Sequence, residues 1–463
     1  MAQAQRVLVV GWDSAPPREL FEQWRAEMPN LNSLMTGGCF GRLRSSDPPI
    51  TVPAWTSMMS SRNPGQLGFY GFRNRRIGEY GGKWIATAGA VKVDRAWDIL
   101  SRMGKRCCVL NVPQTYPVKP INGAMVSSFL TPGNDSDYTY PRSLKAEIEA
   151  ATDGYMIDCE NFRTEDKQQL LQQIHAMTHK RFEAATHLWT QHGPWDFFMV
   201  VYMGPDRIQH GFWKYVDPGH RKHEPGNPLA DCIKDYYKLL DDQLGRLVAM
   251  CGPDTRVILV SDHGAKRMEG SLNVNDWLIR EGLLTLKEEP RGVARFDEDN
   301  VDWSKTVAWA WGGYYARIFM NVAGREPRGV VAPGEYESVR DELIGKLQGI
   351  PDDTGRLMDT RALRPQDLFR GPHVDEAPDL LVYFDDLLWR AGQDVGHEGL
   401  YSFETEIGPD DCVHDYDGIF AMSGGGCQTN GELTGLQLMD VAPTTLAALG
   451  VGADKSMEGS AVT

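Results

Sequence analysis

Three apolar runs in this chain of 463 residues each lead to an aspartate: "RVLVVGWD" to Asp13, "WDFFMVVYMGPD" to Asp206 and "TRVILVSDHG" to Asp262. A carboxylate carried to the end of a buried run is costly unless opposite charge meets it there. Two of the three have an imidazole beside them. His263 follows Asp262 directly, and "GPDRIQHGFW" places His210 four residues after Asp206, on the same face if a helix begins there. Mixed carboxylate and imidazole donors suit a divalent cation, Zn2+ first and Mn2+ second, with no thiolate involved. A further imidazole is offered by His414 in "CVHDYDGIFAMSGGG", with His397 in "DVGHEGLY" as its rival. The plainer reading of "SDHG" is structural: Asp262 caps a helix and His263 bonds to backbone. His175, His179, His187 and His192 lie on or near one polar helix, and His220 and His223 fall in a Pro/Gly-rich loop, which makes them weaker candidates.

A hydroxyl joins these groups from "DPPITVPAWTSMMSSRNPG", residues 47–65. Its prolines, followed by small and apolar residues, predict an extended approach, a sharp turn and a helix start. Thr51 then stands near a helix N-terminus, where backbone N–H groups and the helix dipole favour an anion. Simple N-capping by Thr51, Thr56 or Ser57 is the alternative.

The elements that must position these residues read as an α/β fold with a mainly parallel central sheet flanked by helices. Strands are expected at 6–13, 106–113, 123–129, 195–206, 255–264 and 377–385. Helices are expected at 142–151, 165–192, 229–250 and 440–450. In the third helix Ile233, Tyr237, Leu240, Leu244 and Leu247 recur at helical spacing, a core stripe. Residues 266–375 are less regular, with "KEEPRGVARFDEDN" and the aromatic "WAWGGYYARIF". They read as an insertion that caps or lines a pocket. The expected organisation is a catalytic core in two parts, 1–265 and 376–463, around a 266–375 cap.

Composition narrows the partners. Apolar residues make up 41% of the chain and charged ones 24%, and the formal net charge is −15. That charge disfavours non-specific binding to nucleic acid or anionic membrane. It also means that an anionic substrate needs concentrated local positive charge. Eight cysteines without C-x-x-C pairs suggest a reduced, cytoplasmic setting. The start "MAQAQRVLVVGWDSA" is too short in apolar residues for a signal peptide, and no run approaches the ~18 residues of a membrane span. A small-molecule substrate and a possible homo-oligomer are the expected partners.

The chain resembles the alkaline phosphatase superfamily, and within it the type I phosphodiesterase/nucleotide pyrophosphatase-like phosphohydrolases. The resemblance rests on "VVGWDSA", "LNSLMTGGCFGRLRSSDPPITVPAWTSMMSSRNPGQLGFYGF", "WDILSRMGKRCCVLNVPQTYP", "GPDRIQHGFW", "SDHG", "HDYDGIF" and "DVAPTTLAALG", which follow one another in the family's order over nearly the whole chain. It implies a di-metal α/β hydrolase. One ion is held by Asp206, His210 and His414; the other by Asp13, Asp262, His263 and the hydroxyl of Thr51, the nucleophile position. Relatives of the nucleotide pyrophosphatase type carry an Asn soon after the nucleophile helix that donates to a phosphoryl oxygen. Here that stretch reads "GFYGFRNRR", where Asn74 is the candidate donor and Arg73 a candidate charge partner. "TVPAW" lacks the Arg of a sulfatase motif. The continuous "SMMSSRNPG" lacks the insertion of the phosphoglycerate mutases.

This chemistry has a physical logic. A threonine hydroxyl is a poor nucleophile at neutral pH, and a coordinated divalent ion makes its alkoxide accessible. Two divalent ions carry four positive charges, matched by Asp13, Asp206, Asp262 and the Thr51 alkoxide. The reading is a di-metal phosphohydrolase that cleaves phosphodiester or nucleotide pyrophosphate bonds through a covalent phospho-threonine, which water then hydrolyses. The alternatives are a phosphomonoesterase or phosphotransferase with the same metals, and a non-catalytic, metal-stabilised binding protein.

Overall fold

A computed structural model describes residues 4–463. Its centre is a ten-stranded sheet. From one edge the strands are Gly431–Glu432, Gly38–Arg44, Asp417–Gly424, Thr255–Val260, Arg6–Trp12, Phe197–Tyr202, Cys107–Leu110, Gly123–Val126 and Thr139–Tyr140; Leu436–Gln437 also pairs with Gly38–Arg44. Arg6–Trp12 lies parallel between Phe197–Tyr202 and Thr255–Val260, and Cys107–Leu110 continues the parallel set. Asp417–Gly424 runs antiparallel to both of its neighbours, so the sheet is mixed around a parallel centre.

The central strands read as unbroken apolar runs because helices cover both of their faces. Leu8, Val10 and Trp12 face the helices Lys167–His192, Gly204–Val216 and Cys232–Ala249. Val7 and Val9 face Thr51–Ser60, Ala96–Arg102 and Val441–Ala448. The predicted stripe Ile233, Tyr237, Leu240, Leu244 and Leu247 is buried in the first of these cores. No helix among the described residues is long and apolar enough to cross a membrane.

Two expectations are corrected. The strand read at 195–206 stops at Tyr202, and a helix starts at Gly204 with Pro205 in its first turn, so Asp206 belongs to the helix and not to a strand end. Proline at a helix start overrides the apolar continuity that suggested a longer strand. The strand read at 377–385 does form, as Leu380–Tyr383, but it pairs with Ala316–Met320 and Arg361–Leu363 in a separate four-stranded sheet. Trp389–Gly392 and Tyr401–Ser402 then pair with Gly270–Asn273. The chain therefore rejoins the central sheet at Asp417–Gly424 and not at 376, because alternation predicts a strand without naming its sheet. Within the insertion, Trp309 and Trp311 of "WAWGGYYARIF" are buried core residues.

Candidate active site

The carboxylates and imidazoles converge at one end of the parallel strands as two buried groups. Asp13, Asp262 and His263 form one; Asp206, His210 and His414 form the other. In the first, His263 Nε2 lies 3.1 Å from Asp262 Oδ2 and 3.8 Å from Asp13 Oδ1. In the second, Asp206 Oδ1 lies 3.3 Å from His210 Nε2 and 3.7 Å from His414 Nε2. The groups adjoin, since the rings of His263 and His414 stack with centroids 3.8 Å apart. Of the two histidines open as the further imidazole, the structure brings His414 into the cluster. His397 instead pairs with Asp276 at 2.7 Å in the inserted region.

Thr51 is the first residue of its helix, as the sequence predicts, after an extended Ile50 that supplies no side-chain cap. Its hydroxyl does not cap the helix and lies 3.3 Å from His263 Nε2. Pro53 has no N–H to satisfy, and the first backbone bond of the helix runs from Ala54 to Ile50. The positive end of this buried helix is thus open beside the hydroxyl.

The atoms left without partners indicate what the site is built to hold. Asp13 Oδ1, Asp206 Oδ1 and Asp262 Oδ2 are buried with no hydrogen-bond partner, one oxygen from each carboxylate. All three histidines turn Nε2 toward these oxygens. Their Nδ1 atoms are occupied by the Gly264 carbonyl for His263, the Pro49 carbonyl for His414 and the Asp410 carboxylate for His210, at 3.0, 2.8 and 2.6 Å. Fixing Nδ1 and presenting Nε2 is how proteins orient metal-ligating imidazoles. Orphaned carboxylate oxygens facing three aimed imidazole nitrogens suit divalent cations held by nitrogen and oxygen donors.

Electrostatics agree. Burial and the neighbouring carboxylates of Asp262 and Asp206 push the Asp13 carboxyl well above its ordinary range. Burial lowers the His263 imidazole, but Asp262 and Asp13 outweigh it and raise the group to about 9. Burial and the adjacent His263 hold His414 well below its usual value. Burial raises Asp206, yet His210 and then Arg207 hold it low; Arg207 Nη1 sits 2.6 Å from its Oδ2. Among the described residues no guanidinium pairs with the Asp13 group, and its crowding creates a demand for added positive charge.

Several supporting residues escaped sequence reasoning. Trp55 donates to Asp13 Oδ2 at 2.6 Å, and its place four residues after Thr51 on the same helix face was a usable signal. Gly11 makes room for it: a Cβ there would lie 2.5 Å from the Trp55 ring and 2.9 Å from Val201. Gly11→Ala is expected to cost about 1–3 kcal/mol by overpacking. It should also weaken metal binding by displacing the donor to Asp13, which thermal unfolding and zinc titration of the variant would check.

Asp410 also accepts from Arg163 at 3.2 Å and from the Tyr314 hydroxyl at 3.1 Å. The Tyr314 ring stacks 4.3 Å from His414 and 5.1 Å from His210, so the inserted region reaches the site through this side chain. Asp410→Asn should weaken metal affinity by about 10–100-fold, since it alters the partner that orients His210. Isothermal titration with Zn2+ would measure the change. Asp410 lies in a loop and shows no periodic signal in sequence.

Arg73 and Asn74 lie together on one short strand. Asn74 accepts from the Tyr70 backbone and donates to the Gly71 carbonyl, so its amide closes its own turn. Arg73 is exposed on the short hairpin Arg73–Arg75/Lys83–Ile85. The structure gathers neither into the two clusters. Spacing after Thr51 could not reveal that the turn takes the amide.

The paired buried clusters at the ends of a parallel sheet are those of an alkaline-phosphatase-like α/β hydrolase. Residues 7–410 match the model of the type I phosphodiesterase/nucleotide pyrophosphatase family. The chain belongs to that family, whose members hydrolyse phosphoester bonds. Among solved structures it is similar to phosphonoacetate hydrolase from Sinorhizobium meliloti 1021 in complex with phosphonoformate, at 15% identity and a TM-score of 0.61, covering 97% of this chain and 96% of that one. It is also similar to an inactive variant of murine ectonucleotide pyrophosphatase/phosphodiesterase 5 in complex with AMP, at 14% identity and a TM-score of 0.57, over 97% and 96% of the two chains. The human form of the latter gives 13% identity and a TM-score of 0.56, over 98% of this chain and 97% of that one. No curated protein matches the sequence.

Proposed function

We propose that this protein is a two-metal phosphodiesterase of the nucleotide pyrophosphatase type, with Thr51 as covalent nucleophile. The observation that carries this reading is the set of orphaned oxygens on Asp13, Asp206 and Asp262, facing three oriented imidazoles beside a helix-first threonine. Asp206, His210 and His414 would hold one divalent ion, and Asp13, Asp262, His263 and Thr51 the other. Zn2+ suits these donors best, and Mn2+ next. When bound, the two ions supply the charge that makes the Thr51 alkoxide accessible and stabilises the leaving oxygen.

The chain's own residues do the rest. The Thr51 helix end offers backbone N–H groups to the phosphoryl oxygens. The Thr51 hydroxyl gives its proton to solvent, its Oγ1 forms a bond to phosphorus as the ester bond opposite breaks, and the leaving group departs with that electron pair and takes up a proton from solvent. Water then attacks phosphorus from the vacated side, breaks the Thr51–phosphorus link and restores the hydroxyl.

Charge pairing favours a diester over a monoester. The guanidiniums that approach the clusters are already paired, Arg207 with Asp158 and Asp206, Arg163 with Asp410. A monoester dianion asks for a further cation, whereas a diester carries a single charge. The test is hydrolysis of bis-p-nitrophenyl phosphate against p-nitrophenyl phosphate in Zn2+ or Mn2+. Faster turnover of the diester supports the reading; faster turnover of the monoester would replace it with a phosphomonoesterase. A cytoplasmic setting is proposed from the unpaired cysteines and awaits localisation of the tagged chain.

A further inference from the structure

A second kind of donor cluster lies away from the active site, on two helices that the catalytic reading does not use. Glu147 belongs to the helix Leu144–Ala151, and His187 and His192 to the end of the helix Lys167–His192. Both imidazoles direct Nε2 at one atom: His187 Nε2 and His192 Nε2 each lie 2.6 Å from Glu147 Oε1. Their rings meet edge to face with centroids 6.2 Å apart.

We propose that Glu147, His187 and His192 form a separate surface site for Zn2+ or a similar divalent ion, a clip that ties the two helices together. Two imidazole nitrogens and one carboxylate oxygen are a donor set for zinc that leaves room for water as a further ligand. The three side chains are partly exposed, at 25%, 36% and 38% for His187, His192 and Glu147, so an ion can enter from solvent. Both helices pack together, so the donors converge without rearrangement of the chain.

The surroundings fix the donors in place. Arg106 donates from Nη2 to the His192 carbonyl at 2.8 Å and from Nη1 to the Pro194 carbonyl at 3.0 Å, and its guanidinium lies over the Trp195 ring. That pins the backbone that carries His192. The Arg106 charge opposes a cation, but it is directed at the carbonyls that end the helix, whose own dipole favours positive charge there.

The test compares the unsubstituted protein with the double variant His187→Gln/His192→Gln and with Glu147→Gln, each dialysed against the same free Zn2+ concentration. Metal content is read by inductively coupled plasma mass spectrometry. The expected result is one equivalent less zinc in both variants, with phosphodiester hydrolysis unchanged. Zinc should also slow hydrogen exchange through the last turn of Lys167–His192 in the unsubstituted protein and not in the variants. Equal zinc content in all three proteins would overturn the proposal. The comparison reads a difference between proteins, so it stands whatever number of ions the buried clusters hold.

Discussion

Thr51→Ala lowers the turnover of bis-p-nitrophenyl phosphate by about 10^3-fold or more, the scale seen when a covalent nucleophile is removed. The variant should remain folded. Thr51 caps nothing, because Ile50 holds the cap position and no side chain bonds the first turn, so the roughly 1 kcal/mol of a lost cap is not at stake. Alanine is also an excellent helix residue. The loss is therefore chemical. Thr51→Ser restores a hydroxyl at the same Cβ and should recover measurable turnover, while a valine in the same place fills the volume without the oxygen and should stay inactive. Steady-state kinetics of the three variants, with circular dichroism as the folding control, check the result. Wild-type turnover in Thr51→Ala would show that water attacks phosphorus directly.

Asp13→Asn is expected to act in opposite directions on function and on the metal-free fold. Asp13 is fully buried, and its Oδ1 has no partner. Its carboxyl is pushed up by burial and by Asp262 and Asp206, the mark of a group that the metal-free fold disfavours as an anion. Asparagine has nearly the same shape, and its carbonyl can still accept from Trp55. Removing the charge should raise metal-free stability, because burial and the carboxylates of Asp262 and Asp206 disfavour the Asp13 anion there. The same change removes one of the anionic donors that draw a divalent ion. Zinc content should fall by one equivalent, hydrolysis by about 10^2-fold or more, and the zinc-induced rise in unfolding temperature should shrink. Calorimetry with and without Zn2+ reads both signs. A metal-free Asp13→Asn protein less stable than its parent would mean that the carboxylate is satisfied in a way its environment does not suggest.

Such opposed effects are what a site built for added charge should show, and they explain how an acidic chain can accept phosphate. The formal charge of −15 works against an anionic substrate everywhere except where concentrated positive charge offsets it.

Much of the site is legible in sequence because its donors sit at the ends of short apolar runs. Arg6–Trp12 and Thr255–Val260 are buried on both faces, so their patterns are unmistakable; Asp13 follows the first at once and Asp262 comes two residues after the second. Asp206 and His210 are readable from their four-residue spacing once a helix starts at Gly204. What sequence does not show is long-range pairing. Leu380–Tyr383 looks like any buried strand, and only its partners Ala316–Met320 and Arg361–Leu363 reveal that it lies outside the central sheet. Asp410 reaches His210 across a sequence separation of 200 residues, from a loop without periodicity. Asn74 is held by its own turn, a contact that its distance after Thr51 does not announce. Tyr314 is similar: five residues after the buried Trp309 it leaves the inserted core and stacks on His414. An aromatic segment does not announce which of its rings faces the site.

The most direct test of a covalent Thr51 is the stereochemical course at phosphorus. A nucleoside 5′-phosphorothioate p-nitrophenyl ester of single configuration, hydrolysed in 18O-labelled water, gives a product whose chirality can be read by phosphorus NMR. Attack by Thr51 followed by attack of water makes two in-line displacements, so retention of configuration is expected. Inversion would mean a single displacement by water and would remove Thr51 from the role of nucleophile.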